Sequence, residues 1–215
     1  MRFPLIGFTA LAVGLLIPAI AGAETAIDVW SGIKVPAPPA LKPVTVDPAT
    51  TALLVLDFNG AQDPSKGPCN TQSKPRCIAS LPIVRKLLDA ARSNHVYVVY
   101  SVGGSGEAAD IATVLAPQDG DPVVKSGPDK FINTKLGELL RSKGIKTVIV
   151  TGTAAEGAVL DTGTHAALHG LDVVVPVDCM TSTDIYAEQY VTWHFANAPG
   201  VSTKTTLTDS TQIKF

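Results

Sequence analysis

Apolar runs of strand length alternate with amphipathic helical stretches from residue 51 onward, and this alternation constrains the fold more than any other feature. The first run, TALLVLDF at 51–58, is continuously apolar and ends in an acid. Such a run is typical of a strand buried on both faces of a parallel sheet. Strands that alternate with helices are joined by right-handed crossovers, so the alternation predicts an α/β fold with a mostly parallel sheet and helices on both faces. Further strands are predicted at 95–102, 121–127, 145–152, 171–178 and 201–208, and helices at 78–94, 132–144, 157–170 and 184–198.

The N-terminal residues have a different character. Residues 1–23 contain one arginine, an uncharged apolar run and the small-residue sequence AGA, which is the pattern of a secretory signal peptide cleaved after Ala23. An uncleaved membrane anchor is the alternative, although the apolar length barely permits a span. Prolines in residues 24–50 forbid helix and favour an extended surface segment. We therefore expect a periplasmic or secreted protein, with one domain at 51–215 and no membrane contact after cleavage.

Export changes what the cysteines predict. Cys69 and Cys77 lie in the loop-like sequence GPCNTQSKPRC, and in an oxidising compartment such a pair forms a disulfide more often than it binds metal. Two independent thiols are the alternative. Cys179 follows an apolar run and is expected to be a buried small hydrophobe rather than a reactive thiol.

Composition excludes some partners. The chain has 215 residues, a formal net charge of −2 and 46% hydrophobic residues, which predicts a single compact domain and gives no basic excess for nucleic acid. The sequence GGSGE at 103–107 lacks the spacing of a nucleotide-binding fingerprint. We expect a small-molecule substrate or ligand and no cofactor.

Reactive groups in parallel α/β folds collect at the carboxyl ends of strands. Asp57 ends the first predicted strand, where burial would raise the pKa of its carboxyl group and a neighbouring ammonium would lower it. Lys125, at another strand end, is its predicted partner. The alternatives are an aspartate that caps a turn and a lysine that reaches solvent.

The turn TGTAAEGAVLDTG at 151–163 joins a predicted strand to a predicted helix. Backbone N–H groups of Thr153, Ala154, Ala155 and Gly157 would enter a helix N-terminus, where they could bind an anion or a developing oxyanion. Close packing of small residues is the structural alternative.

These motifs together resemble the isochorismatase-like hydrolase superfamily, also called the cysteine hydrolases, which includes nicotinamidases and carbamoyl amidases. The resemblance covers nearly all of the chain after residue 50. It rests on an aspartate ending the first strand, a lysine before Phe-x-x-Thr-x-Leu, and a strand–turn–helix of T-G-x-x-x-x-x-C-V type. It implies a three-layer α/β/α sandwich with a Rossmann-like sheet and, as in many members, a homo-oligomer.

The resemblance also implies a catalytic triad of aspartate, lysine and cysteine. Asp57 and Lys125 match the first two positions, while Ala158 stands at the third and cannot act as a nucleophile. Family members have a non-proline cis peptide in this turn, which would fall around 153–155, where Ala155 replaces the usual threonine. Phe58 and Phe131 are candidate pocket walls, with plain core as the alternative for each.

No metal site is expected. Metal-binding amidases of this superfamily use histidines soon after the first strand, and FNGAQDPSKG has none. His165 and His169 have ligand spacing but lack a third ligand and the glutamate of a zinc-protease helix. Tyr186, Tyr190 and Trp193 form an aromatic stripe that core packing or a subunit contact explains.

Three functional hypotheses remain. The first is a cysteine-independent hydrolase of enol-ether type, in which Asp57 is the general acid and Lys125 orients it, as the resemblance to isochorismatase, which has glycine at the third position, implies. The second is a non-catalytic binding protein that keeps the pocket. The third is a cysteine amidase whose nucleophile has moved to Cys179 or been mutated.

Overall fold

A parallel sheet forms the centre of the protein, for which a computed structural model describes residues 24–215. Two strands form a separate small sheet, Val44–Thr45 (β1) and Ile213–Lys214 (β9). The strands of the main sheet are Thr51–Leu56 (β2), Tyr97–Val102 (β3), Val123–Lys125 (β4), Thr147–Thr153 (β5), Asp172–Pro176 (β6), Met180–Thr181 (β7) and Thr205–Thr208 (β8). The main sheet has the order β4-β3-β2-β5-β6-β8, and β7 pairs with the end of β5. Every pairing within it is parallel, which confirms the predicted α/β fold.

The strand β2 shows why the sequence folds this way. All six of its residues are buried. Leu53 and Val55 belong to the core on one face of the sheet, whereas Leu54 and Leu56 belong to the core on the other. Because successive strand residues point to opposite faces, a continuous apolar run supplies both cores.

Helices cover both faces. Pro75–Ser93 (α1) buries Leu81, Val84 and Leu88 against one face. The other face is covered by three helices, which are Leu136–Ser142 (α2), Leu160–Leu168 (α3) and Ile185–Asn197 (α4). The last two helices pack closely, since a Cβ atom at Gly163 would lie only 2.7 Å from Cζ of Phe195.

Predicted boundaries differ from the structure at several elements, and three of these differences bear on the site. The first strand ends at Leu56 rather than at 58, because Asp57 has a left-handed φ of 57° and leaves the sheet. The helix predicted at 132–144 begins only at Leu136, since Asn133 is also left-handed, with a φ of 57°. The helix predicted at 157–170 begins as a π turn at Ala155–Val159 and continues as α3.

The predicted signal peptide, residues 1–23, lies outside the described residues. Residues 24–37 belong to one unit of the chain and contain the short 3₁₀ helix Trp30–Gly32. Residues 38–215 form a second, compact unit, within which β1 and β9 pair in parallel. In the part of the chain that the structure describes, no helix has the length and hydrophobicity needed to cross a membrane.

The predicted disulfide is confirmed. Cys69 and Cys77 are bonded, both are buried, and their Cα atoms are 5.4 Å apart. The bond attaches the loop that follows β2 to the first turn of α1.

Candidate active site

A buried ion pair lies at the carboxyl edge of the sheet. The Asp57 carboxylate accepts a hydrogen bond from Lys130 Nζ at 2.7 Å on Oδ2, and from Ser101 Oγ at 2.7 Å on Oδ1. Only 1% of the Lys130 side chain and 9% of the Asp57 side chain are exposed. Lys130 Nζ also donates to the carbonyl oxygen of Gly127 at 2.7 Å, which helps to satisfy the buried ammonium.

The predicted partnership of Asp57 with Lys125 is wrong. Lys125 is the last residue of β4, an edge strand, and its ammonium pairs with Glu107 Oε1 at 2.7 Å. That pair is solvent-exposed, with 47% and 74% of the two side chains accessible. Val124 is buried whereas Lys125, at the end of this edge strand, is exposed, and the lysine that meets Asp57 comes from the loop beyond the strand.

Burial dominates the electrostatics of the acid. Desolvation raises the pKa of the Asp57 carboxyl group above its ordinary value. The ammonium of Lys130, the hydroxyl of Ser101 and the charge of Lys74 oppose this shift by favouring the carboxylate. The net direction is upward, so Asp57 holds its proton to higher pH than an exposed aspartate.

The small-residue turn lies beside this acid. The peptide bond between Thr153 and Ala154 is cis, within the range where the resemblance places such a bond. The carbonyl of Ala154 accepts hydrogen bonds from the N–H groups of Gly157 and Val159, which forms the π turn. Ala155 is fully buried in the core rather than facing the acid.

A cavity of about 430 Å³ opens over Asp57. It is lined almost entirely by small residues and prolines: Asp57, Pro64, Ser65, Gly67, Pro68, Gly103, Gly104, Ser105, Ser126, Gly127, Pro128, Thr153, Ala154, Gly157 and Ala158. Asp57 is the one ionisable side chain among these described lining residues. Four of the predicted turn residues (Thr153, Ala154, Gly157 and Ala158) are therefore brought to the acid, and Ala155 is not.

Asn59 joins two walls of the cavity. Its amide nitrogen donates to the carbonyl oxygens of Lys66 and Gly103, and its amide oxygen accepts the Gly103 N–H at 3.1 Å. A Cβ atom at Gly67 or Gly106 would overlap the Asn59 amide, so both loops must be glycine there to approach it. Sequence reasoning missed this residue, although an asparagine two positions after a strand-end aspartate was a signal for it.

The comparisons with known proteins identify the family of this chain. Residues 51–207 match the isochorismatase domain family, and this match spans most of the chain. The chain belongs to the isochorismatase family. Its similarity to the secreted isochorismatase effector Isc1 of Verticillium dahliae is 29% identity over 154 residues, which covers 66% of this chain and 78% of that protein.

Solved structures share the isochorismatase fold. An isochorismatase family protein from Desulfovibrio vulgaris has a TM-score of 0.65 and 20% identity, covering 75% of this chain and 95% of its own. N-carbamoylsarcosine amidase from Thermoplasma acidophilum has a TM-score of 0.62 and 22% identity, covering 75% of this chain and 96% of its own. At these identities the likeness establishes the fold, a mostly parallel sheet flanked by helices.

The two predicted aromatic walls are absent from the cavity of this isochorismatase-family chain. Phe58 is fully buried in the core, because the chain turns at Asp57 and sends the next side chain inward. Phe131 stacks on His165, with ring centroids 4.3 Å apart, and lines a different cavity. The prediction that Phe58 and Phe131 contact the substrate is therefore wrong for this cavity.

The free thiol is no substitute nucleophile. Cys179 is fully buried in the core on the opposite face of the sheet from Ala158. Burial raises the pKa of the Cys179 thiol, which keeps it protonated. A nucleophile relocated to Cys179 is therefore excluded by its position. Within residues 24–215, no three His, Cys, Asp or Glu side chains are grouped to hold a metal ion.

Proposed function

We propose that this isochorismatase-family protein hydrolyses a small enol ether by acid–base catalysis, without a covalent intermediate. Asp57 is the general acid. The observation that supports this most directly is that the described residues lining the cavity include one ionisable side chain, Asp57, whose carboxyl pKa is raised by burial. A proton donor with a raised pKa in a largely apolar cleft is suited to acid catalysis near neutral pH.

The proposed reaction begins with proton transfer from Asp57 to the terminal carbon of the enol ether, C=C–O–R. The resulting oxocarbenium ion adds water, and the water's lost proton returns to Asp57. The hemiketal then breaks its C–O bond, giving a ketone and the alcohol ROH. Lys130 replaces the predicted Lys125 in this scheme, because its ammonium lies 2.7 Å from Asp57 and stabilises the carboxylate formed in the first step.

Ala158 is proposed to occupy the position where amidases of this family have their cysteine. Its methyl group lines the cavity beside Asp57, so it leaves space for a substrate and offers no nucleophile. Acyl transfer through a thiolate is therefore replaced by direct attack of water.

The compartment and assembly are part of the proposal. The disulfide is typical of proteins that mature outside the cytoplasm, and the relative Isc1 is named as a secreted protein. Both support a periplasmic or secreted location. Tyr186, Tyr190 and Trp193 on α4 are 58%, 42% and 43% exposed, which supports the expected homo-oligomer through this helix.

The test uses two enol ethers that release pyruvate, isochorismate and 2-methoxyacrylate, with pyruvate followed through NADH oxidation by lactate dehydrogenase. The Asp57→Asn variant should lose roughly 10²- to 10⁴-fold in rate, the usual contribution of a general acid. Wild-type activity should fall as pH rises through the pKa of Asp57, because the acid loses its proton. The matched control is Lys125→Met, which should keep wild-type activity. Unchanged turnover in Asp57→Asn would refute the acid role.

A second candidate, a non-catalytic binding protein, is favoured by one observation. The ammonium of Lys130 is buried against Asp57, and an ion pair of this kind favours the charged carboxylate over the acid. This candidate predicts saturable binding of the same two compounds by calorimetry with no pyruvate released. Pyruvate formation that depends on Asp57 would exclude it.

A further inference from the structure

Two side chains of α3 hold the loop that carries Lys130. The hydroxyl oxygen of Thr162 accepts the Lys130 N–H at 3.1 Å. One residue earlier, the Asp129 carboxylate meets the imidazole of His165, with Oδ2 and Nδ1 2.8 Å apart. The other oxygen of Asp129 accepts the Phe131 N–H at 2.9 Å, so one carboxylate ties the helix to the backbone on both sides of Lys130.

A stack of rings fixes the orientation of His165. The Phe131 ring lies on one side, with centroids 4.3 Å apart and an interplanar angle of 6°. The His169 ring also stacks on the His165 ring, with centroids 4.3 Å apart and an interplanar angle of 19°. The imidazole cannot tilt out of this stack without losing its ring contacts, and within the stack its Nδ1 meets Asp129.

We propose that His165 is a positioning residue, which through Asp129 fixes the loop that holds the Lys130 ammonium against Asp57. The catalytic meaning of this role rests on the proposed function, whereas the positioning itself does not require a substrate. The family resemblance assigns His165 no role, and its ring is 28% exposed at the edge of a second cavity of about 350 Å³, outside the cavity over Asp57.

The contacts of Lys130 predict how loss of the tether would change the Asp57 carboxyl group. Lys130 Nζ donates to Gly127 and Asp57, so its position depends on the conformation of the 126–131 loop. If the tether to α3 is removed, the ammonium is held less firmly and stabilises the carboxylate less. The proton on Asp57 is then retained to higher pH, because the group that opposes desolvation has weakened.

Other charged groups face the tether from the neighbouring elements. Burial raises the pKa of the Asp161 carboxyl group on α3, the negative charge of Asp129 raises it further, and His194 on α4 opposes this shift. His194 Nε2 also lies 3.1 Å from the Thr164 hydroxyl. From α2, Glu138 and Arg141 line the second cavity together with His165 and His169.

The experiment measures the titration of the Asp57 carboxyl carbon by NMR, with the signal assigned by its loss in Asp57→Asn. His165→Leu keeps side-chain volume and removes the donor, so the Asp57 midpoint should rise by about half a pH unit or more. His165→Asn restores an N–H donor at the place of Nδ1 and should return the midpoint to the wild-type value. The matched control is His169→Leu, which removes an imidazole from the same stack, leaves the bond to Asp129 in place and should have no effect.

An Asp57 midpoint that stays at the wild-type value in folded His165→Leu would overturn the proposal. Equal shifts in the two leucine variants would overturn it as well, because the stack rather than the tether would then be responsible. The result is independent of turnover. A raised midpoint in a protein that hydrolyses no enol ether would refute the proposed function alone, and an unchanged midpoint in an active enzyme would refute the positioning role alone.

Discussion

Replacing Lys130 by methionine tests whether its buried ion pair with Asp57 holds the candidate active site together. The substitution keeps the length of the side chain and removes the ammonium, which leaves the Asp57 carboxyl group with Ser101 as its remaining side-chain donor. Breaking a buried ion pair by removing one partner costs about 3–5 kcal/mol. For a domain of this size that corresponds to a fall in melting temperature of roughly 6–20 °C.

Lys125→Met is the matched comparison. It removes the same ammonium five residues away, from a pair with Glu107 in which both partners are largely exposed. An exposed pair contributes about 0–1 kcal/mol, so the two lysine variants should differ by several kcal/mol in the free energy of unfolding. Urea unfolding followed by circular dichroism measures both.

The cost in Lys130→Met should also depend on pH. The pKa of Asp57 is already raised in the folded state, and loss of the ammonium raises it further. A group with a raised folded pKa stabilises the protein at low pH, and this contribution is lost as pH rises through the folded value. The destabilisation should therefore be larger at about pH 8 than at about pH 5.

The double variant Asp57→Asn/Lys130→Met completes the cycle. It should cost much less than the sum of the two single variants, since neither buried charge is then left alone. Equal destabilisation by Lys125→Met and Lys130→Met, or additive costs in the double variant, would refute the reasoning.

Three further predictions concern the rest of the molecule. Reduction of the bond between Cys69 and Cys77 should lower the free energy of unfolding by about 2–3 kcal/mol, since the closed loop is short, and urea unfolding with and without dithiothreitol measures this. Gly163→Ala should cost about 1–3 kcal/mol by overpacking against Phe195, and Phe195→Leu in the same chain should recover part of it in thermal unfolding. Cys179 should resist iodoacetamide in the folded protein and react only on denaturation, because burial raises its thiol pKa; rapid labelling of the native state, seen by mass spectrometry, would contradict its burial.

Much of the fold was predictable because its determinants are local. A strand buried on both faces needs a continuous apolar run, and β2 has one. The strand-end location of Asp57 followed from the same run. The disulfide could be predicted because the two cysteines flank a short loop and the N-terminal pattern indicates an oxidising compartment.

The partner of Asp57 could not be predicted from motif spacing alone. Lys125 ends β4 and Lys130 follows five residues later, and the choice between them depends on the path of the loop at 126–131. A left-handed Asn133 and the tether from Asp129 to α3 shape that path, and neither is visible as a pattern in the sequence.

The predictions that Phe58 and Phe131 line the cavity were wrong for a related reason. Phe58 follows Asp57, and the side on which its ring lies depends on the turn that Asp57 makes. The position of the Phe131 ring is decided by a tertiary contact, since it stacks on His165, which lies on a helix more than thirty residues away. Sequence position beside a functional residue therefore gave no information about which cavity a ring would line.

The composition of the cavity wall has a consequence for how ligand preference can change. Eleven of its fifteen described lining residues are glycine, proline or serine, and seven of these lie in the two loops that Asn59 connects, so its surface is formed by main chain and small side chains. The shape of such a wall is altered by insertions and deletions in its loops rather than by exchanging one side chain for another. Divergence of substrate range around this acid is expected to appear as changes in loop length at 64–68 and 103–106, while the sheet beneath stays the same.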